Sequence, residues 1–373
     1  MKKALITGVT GQDGSLLLKY LLKNDYQVHG LKRRSSSFNT QRIDEFYETN
    51  ESLSKNFIIH FSDMMDFGNL CRIINEIEPD EVYHLAAMSH VKVSFDLPLY
   101  CGEVNALGTH RILEAVRLSK KNIKFYNAST SELYGDVQQI PQNEETPFYP
   151  RSPYAVAKLY AHWITRHYRE AFGLFASNGI LFNHESEQRG ETFVTRKITR
   201  GISSIAYGFS NSISLGNLDA KRDWGYAVEY VELMHKILQH NKPDDWVIGT
   251  GKTSSVRDFL IKSLDYIGVK IKFNGEGVDE IGYVSENKGK FDNFKKGTTI
   301  ITVSKAYYRP TEVDLLLADS SKAEKNLNWK PSTNLTQLIQ KMMKNDLKEF
   351  EIKRIVKDKG FFVSNNNLKN YCK

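Results

Sequence analysis

Tyr154 and Lys158 stand four residues apart in the run Ser152-Pro153-Tyr154-Ala155-Val156-Ala157-Lys158. Ser152 is a good N-cap and Pro153 a good first helical residue, so the run predicts a helix start. Residues four apart share one helix face. A free tyrosine has a pKa of about 10 and is a poor base at neutral pH. A neighbouring ammonium favours the phenolate, as would a positive nicotinamide ring. Such a pair can take a proton from a sugar hydroxyl while hydride leaves its carbon. Ser129-Thr130-Ser131-Glu132 adds a second acid–base group. Thr130 can hydrogen-bond a substrate hydroxyl, and Glu132 can act as general base or acid where its surroundings raise its pKa. A simple alcohol dehydrogenase has little use for that group. A reaction that also breaks a C–H and a C–O bond needs it.

The glycines of Gly8-Val9-Thr10-Gly11-Gln12-Asp13-Gly14 follow an apolar stretch and open an amphipathic one. Glycine there permits a tight turn and close approach of backbone to a pyrophosphate, with the helix N-terminus supplying free N–H groups. The spacing is G-x-x-G-x-x-G, and the strand–turn–helix context marks it as a dinucleotide site. An acid at the end of the second strand binds the ribose hydroxyl of NAD, whereas a basic residue accommodates the phosphate of NADP. This chain has Lys32-Arg33-Arg34-Ser35 and no acid among them, which favours NADP. Asp63, with Met64 after it, is placed to reach the adenine. Leu85-Ala86-Ala87 offers small residues where a nicotinamide ribose can pass.

The elements that must position these groups alternate. Strands are expected at residues 4–7, 27–32, 57–61, 81–85, 124–129 and 177–182, and helices near 12–23, 67–76, 101–119 and 153–172. Strands alternating with helices predict parallel βαβ units, hence an α/β fold with a Rossmann-type doubly wound sheet. Ligands then sit at the carboxyl ends of the strands. Three stretches are expected: 1–183 as the NADP-binding Rossmann domain, recruiting a later segment near 215–245; 184–343 as a smaller α/β substrate domain; and 344–373 as a charged tail with a surface helix. Residues 274–298, rich in Gly, Asp and Lys, read as loop.

The chain has 373 residues, 40% hydrophobic and 25% charged, a balance ordinary for globular domains. No apolar run approaches the ~18 residues of a membrane span. The basic, briefly apolar N-terminus lacks the core and cleavage site of a signal peptide. Cys71, Cys101 and Cys372 show neither disulfide nor zinc spacing, so no metal is expected and a reducing cytoplasm fits. The net charge of +7 is read as suiting a phosphate-rich small molecule, since no nucleic-acid module appears.

Together these segments resemble the extended short-chain dehydrogenase/reductase family and, within it, the GDP-mannose 4,6-dehydratases. The likeness runs from Leu5-Ile6-Thr7-Gly8 to Leu327-Asn328-Trp329-Lys330-Pro331. Its strongest stretches include Ala87-Met88-Ser89-His90-Val91, Asn183-His184-Glu185-Ser186 and Arg189-Gly190-Glu191-Thr192-Phe193-Val194-Thr195-Arg196-Lys197. The resemblance implies a redox-neutral dehydration. Tyr154 removes the 4-hydroxyl proton as C4 hydride passes to NADP⁺, Glu132 takes the C5 proton and helps expel the 6-hydroxyl, and hydride returns to C6. Thr130 would hold the 4-oxygen, and Lys158 would tune Tyr154 and bind the nicotinamide ribose. It further implies that Met88, Ser89, Tyr100, His184 and Arg189 lie beside the cofactor, and that Ser89, Asn183, Val194, Lys197, Arg222, Arg309 and Glu312 hold the GDP-sugar. Two arginines suit a pyrophosphate. The family's loop matching residues 33–42 reaches a neighbouring subunit, implying a homotetramer built as a dimer of dimers. Glu187-Gln188 and His84 depart from the usual Pro-Arg and Asn. Relatives acting on a GDP-activated manno-heptose share most motifs, which leaves the outer sugar substituent open. Nucleotide-sugar epimerases or reductases, and an NADP-sensing regulator, are the competing readings; the intact Thr130, Glu132, Tyr154 and Lys158 weigh against both.

Overall fold

The computed structural model describes residues 1–36, 38–48, 55–308 and 311–361. Two compact units emerge. The first comprises Met1–His184, Gly225–Lys252 and Leu316–Pro331; the second comprises Glu185–Trp224, Thr253–Leu315 and Ser332–Lys373.

The first unit is a parallel sheet with helices on both faces. In chain order it contains β1 (Lys3–Thr7), α1 (Gln12–Lys23), β2 (Gln27–Lys32), β3 (Phe57–Phe61), α2 (Phe67–Ile77), β4 (Glu81–His84), α3 (Gly108–Arg117), β5 (Lys124–Thr130), α4 (Pro153–Phe172), β6 (Ala176–Leu181), α5 (Ala227–Gln239) and β7 (Asp245–Ile248). Among the described residues the sheet has seven strands in the order β7-β6-β5-β4-β1-β2-β3. The order reverses at β1, so β1 and β4 diverge in connection at the switch point where such sheets take ligands. Alternation along β1 explains the layering. Ala4 and Ile6 face one side and pack with Leu17, Leu21, Val231 and Met234 of α1 and α5. Leu5 faces the other, with Ile73 of α2, Leu113 of α3 and Tyr168 of α4.

Most of the expected elements appear where the residue pattern put them, and two differ. The helix expected over 101–119 is broken into a short helix at Pro98–Gly102, a π-helical stretch at Glu103–Leu107 and α3. The stretch 274–298 is not all loop, because it contains the strand Ile281–Asn287. That strand pairs antiparallel with Val269–Asn274 and with Thr299–Val303, and register shifts on both sides blur its alternation. Its Val284 is fully buried while flanking residues are not, so the apolar signal is one residue deep.

In the second unit these three strands are joined by Ile213–Leu215, which pairs parallel with Thr299–Val303. Helices Val194–Ala206, Val256–Asp265 and Leu335–Asp358 accompany them. The last begins well before residue 344 and buries Met342, Met343, Asp346 and Phe350, so it is a core helix and not only a surface one. Arg196 and Thr199 reach the buried Asp346 carboxylate at 2.9 and 2.7 Å.

Candidate active site

The turn from Gly8 to Gly14 is built as its residue types demand. Gly8 has φ +70°, a conformation that favours glycine, and a Cβ there would lie 2.9 Å from the backbone of Ala86. A Cβ at Gly14 would lie 2.3 Å from the Gly8 carbonyl. Gly11 is the N-cap of α1 and its N–H donates to Gly8 O at 3.0 Å; no side chain caps the helix. The turn therefore leads into the N-terminus of α1, a helix end of the kind that suits an anion. Gln12 and Asp13 tie it to the end of β6. The Asp13 carboxylate is 2.8 Å from His184 Nε2, and Gln12 Nε2 donates to His184 O at 3.2 Å. His184 Nδ1 lies 2.7 Å from Phe182 O, and its ring stacks on Tyr230. Val9 is buried in the core, while Thr10 receives Arg42 on its carbonyl at 3.3 Å.

Beyond β2, Arg33 and Arg34 are exposed and Ser35 half-buried. Arg33 donates to the Tyr100 hydroxyl at 2.6 Å, joining two residues expected near the cofactor, and Arg34 lies over the Phe61 ring. After β3, Asp63 accepts from Met65 N and Met64 packs into the core. Residues 85–88 continue from β4 half-buried, with Ser89 exposed at their end. Met88 is clasped by Asn105, whose Oδ1 accepts from Met88 N at 2.8 Å and whose Nδ2 donates to Met88 O at 3.0 Å. Small, half-buried residues here, with the Gly8 turn against Ala86, fit a dinucleotide.

The residues expected to carry acid–base chemistry lie at the end of β5 and in the first turns of α4. Thr130 closes β5, and its hydroxyl accepts from Glu132 N at 3.2 Å, capping the short 3₁₀ turn Ser131–Leu133. Thr130 and Glu132 are both buried. Ser152 Oγ accepts from Ala155 N at 3.0 Å, with Pro153 in the first turn, so α4 starts where the residue types require. Tyr154 follows on the buried face, packed with Cys101 and Ala157, and its N–H donates to Ser94 Oγ at 3.2 Å. Lys158 is 3% exposed and donates to Ala128 O at 2.8 Å. Burial pushes its ammonium down to about 8, the neighbouring Cys101 acting in the opposite direction.

The other expected residues fall in the second unit, apart from Asn183, which follows β6. Arg189 pairs with the buried Glu185 at 3.1 Å and stacks on Phe193. Val194 opens its helix, and Lys197 lies over the Tyr307 ring. Arg222 and Glu312 are brought together at 3.5 Å. Arg309 lies outside the described residues. Sequence reasoning missed Ser94, Cys101, Asn105 and Thr7, which support the site from within. Their signal was faint: single polar or small residues within apolar stretches.

The fold is shared with solved structures of other proteins. It matches a dTDP-glucose 4,6-dehydratase of Streptomyces venezuelae with NAD and TYD bound, at TM-score 0.75 and 18% identity over 94% of this chain and 98% of that one. It also matches RMD from Pseudomonas aeruginosa complexed with NADPH, at TM-score 0.69 and 19% identity, covering 93% and 100%. In sequence the likeness is far narrower. GDP-mannose 4,6-dehydratase of Yersinia enterocolitica is 52% identical over 98% of this chain and 99% of its own length. GDP-mannose 4,6 dehydratase 2 of Caenorhabditis elegans is 54% identical over 93% and 89%. The family model for GDP-mannose 4,6 dehydratase matches residues 5–342, and the chain belongs to that family.

Proposed function

We propose that the chain converts GDP-D-mannose to GDP-4-dehydro-6-deoxy-D-mannose and water, with NADP held through the whole cycle. The observation that supports this reading is the packing of α4, which carries Tyr154 and Lys158, against the end of β5 and the turn that carry Thr130 and Glu132, in a chain of this family. When bound, the nicotinamide supplies the redox chemistry, accepting hydride from C4 and returning it to C6. Tyr154 takes the proton of the 4-hydroxyl, and the Lys158 cation stabilises the phenolate. Thr130 holds the 4-oxygen. The 4-ketone acidifies the C5 proton, which Glu132 removes; Glu132 then delivers a proton to the departing 6-hydroxyl, which leaves as water, and Tyr154 returns its proton to C5 as C6 is reduced, which resets both groups. No net oxidation results.

NADP is favoured over NAD by Arg33 and Arg34 after β2, where no acid competes. We assign Lys197 and Arg222 to the nucleotide's phosphates, as fixed cations suited to them. Assembly as a dimer of dimers is supported by an apolar face. Val156, Tyr160 and Trp163 recur at helical spacing along α4 and are 56%, 40% and 50% exposed, with Leu99 at 85%. A cytoplasmic setting accords with the free thiols of Cys71 and Cys101.

The test incubates purified protein with NADP⁺ and either GDP-mannose or GDP-D-glycero-D-manno-heptose, followed by mass spectrometry. Loss of one water from GDP-mannose without net NADPH is expected. Faster turnover of the heptose would move the substrate assignment, and lasting NADPH would replace a dehydratase by a dehydrogenase. Glu132→Gln should lower water loss by about 10²–10⁴-fold; full turnover would remove Glu132 from its role.

A further inference from the structure

Thr7 at the end of β1 and His84 at the end of β4 are register partners in adjacent strands. Neither has a part in the chemistry above. Thr7 Oγ1 accepts from the backbone N–H groups of Leu85 and Ala86, each at 3.0 Å. A hydroxyl has two lone pairs and one proton. With both lone pairs engaged, its proton goes to His84 Nδ1, 2.9 Å away. Nδ1 is therefore the acceptor nitrogen, and the ring carries its proton on Nε2. That Nε2–H donates to Thr109 Oγ1 at 3.0 Å, and Thr109 gives its own proton to Asn105 O at 2.7 Å. Every proton in this chain has one place. Thr7, His84, Thr109 and Asn105 are all fully buried. Burial, together with the Lys158 cation, pushes the imidazole down to about 3, which agrees with a neutral ring.

The two ends of the chain hold the same piece of backbone. Thr7 secures residues 85 and 86, and the Asn105 side chain clasps Met88 on both sides. This strip is also the wall against which the glycine turn rests, since Gly8 leaves no room for a Cβ beside Ala86. Movement of the strip would therefore displace the turn.

We propose that His84 is a positioning residue for the dinucleotide: as a neutral Nε2–H imidazole it links Thr7 to Thr109 and fixes residues 85–88 and the glycine turn in one arrangement. The assignment rests on the nicotinamide reading above. His84→Phe keeps the bulk of a ring and deletes both hydrogen bonds. Thr109→Val removes only the far partner with little change of shape. His84→Gln restores an acceptor and a donor on one side chain.

The test measures NADP⁺ affinity by calorimetry, kcat and KM for GDP-mannose, and the imidazole ¹⁵N shifts of His84 in the wild-type protein. The shifts should show Nδ1 bare and Nε2 protonated from pH 6 to 8. His84→Phe should weaken NADP⁺ by about tenfold or more and lower kcat, with KM for the sugar nucleotide little changed. Thr109→Val should move the same constants in the same direction by less, and His84→Gln should recover most of the loss. A protonated Nδ1, or wild-type NADP⁺ affinity in His84→Phe, overturns the proposal. Should His84→Phe fail to fold, unchanged affinity in Thr109→Val overturns it instead. A wild-type protein that binds no nicotinamide dinucleotide sinks the functional reading and the positioning role together; binding by wild type with an indifferent His84→Phe sinks the positioning role alone.

Discussion

Lys158, proposed to steady the Tyr154 phenolate, carries a cost in stability. Its ammonium is buried, with the Ala128 carbonyl at 2.8 Å as a hydrogen-bond acceptor. Burial lowers its pKa from 10.5 to about 8. Below about pH 8 the folded and unfolded chains both hold this proton. Between about 8 and 10.5 the unfolded chain holds more of it, so this group makes the fold more stable as pH rises through that window. Activity should run the opposite way. In the proposed mechanism the phenolate of Tyr154 needs the cation, so kcat/KM should fall above about pH 8. Lys158→Met should lose turnover by about 10²-fold or more while its stability at neutral pH is no lower than wild type, because an expensive buried charge is gone. Rate profiles from acid to alkaline pH and urea unfolding check both halves. A flat profile through the alkaline range would take the cation out of the mechanism. The Tyr154–Lys158 pair was legible because its partners are one helical turn apart. The Thr7–His84–Thr109 chain was not, since each link joins residues distant in sequence, although His84 already stood out as a departure from the family's Asn.

Helix α4 shows what a single cap contributes at the scale of an element. Ser152 accepts the Ala155 N–H and so sets where the helix begins, two residues before Tyr154. Ser152→Ala should cost about 1 kcal/mol in urea unfolding. It should also lower kcat with little effect on KM, because Tyr154, the proposed base, is carried on the first turn. An unchanged midpoint would show that Pro153 and the packing of Tyr154 suffice to start the helix. Elements with local signals were read closely: the bounds of α1, β2, β3 and α4 coincide with the expected ones. The π-helical stretch Glu103–Leu107 was not legible, because the clasp between Asn105 and Met88 is a tertiary contact. Nor was β7, four residues long, which is a strand through its parallel pairing with β6.

For the whole molecule, the exposed face of α4 carries the assembly argument. Trp163→Glu places a charge on that face and should yield smaller assemblies by light scattering, with the unfolding of each chain little altered. A wild-type protein that is monomeric at micromolar concentration would remove the dimer-of-dimers proposal. Within the second unit, by contrast, charge is interior. Arg196 meets Asp346, at 0% exposure, and Arg200 meets Glu349 at 2.5 Å. The fully buried pair holds two helices together at the desolvation cost such pairs carry.

The amino-acid sequence by itself determined the local chemistry. Glycines set the turn, Ser152 and Pro153 set the start of α4, one helical turn aligns Tyr154 with Lys158, and apolar alternation makes the strands. These follow from short-range sterics and hydrogen bonding, which need only neighbours along the chain. The tertiary structure decided which distant residues meet. It returned Leu316–Pro331 to the first unit, placed Val284 at the centre of a hairpin read as loop, and set Arg222 against Glu312. It also closed the buried relay through His84, because a hydroxyl's one proton is assigned only when all of its neighbours are in place.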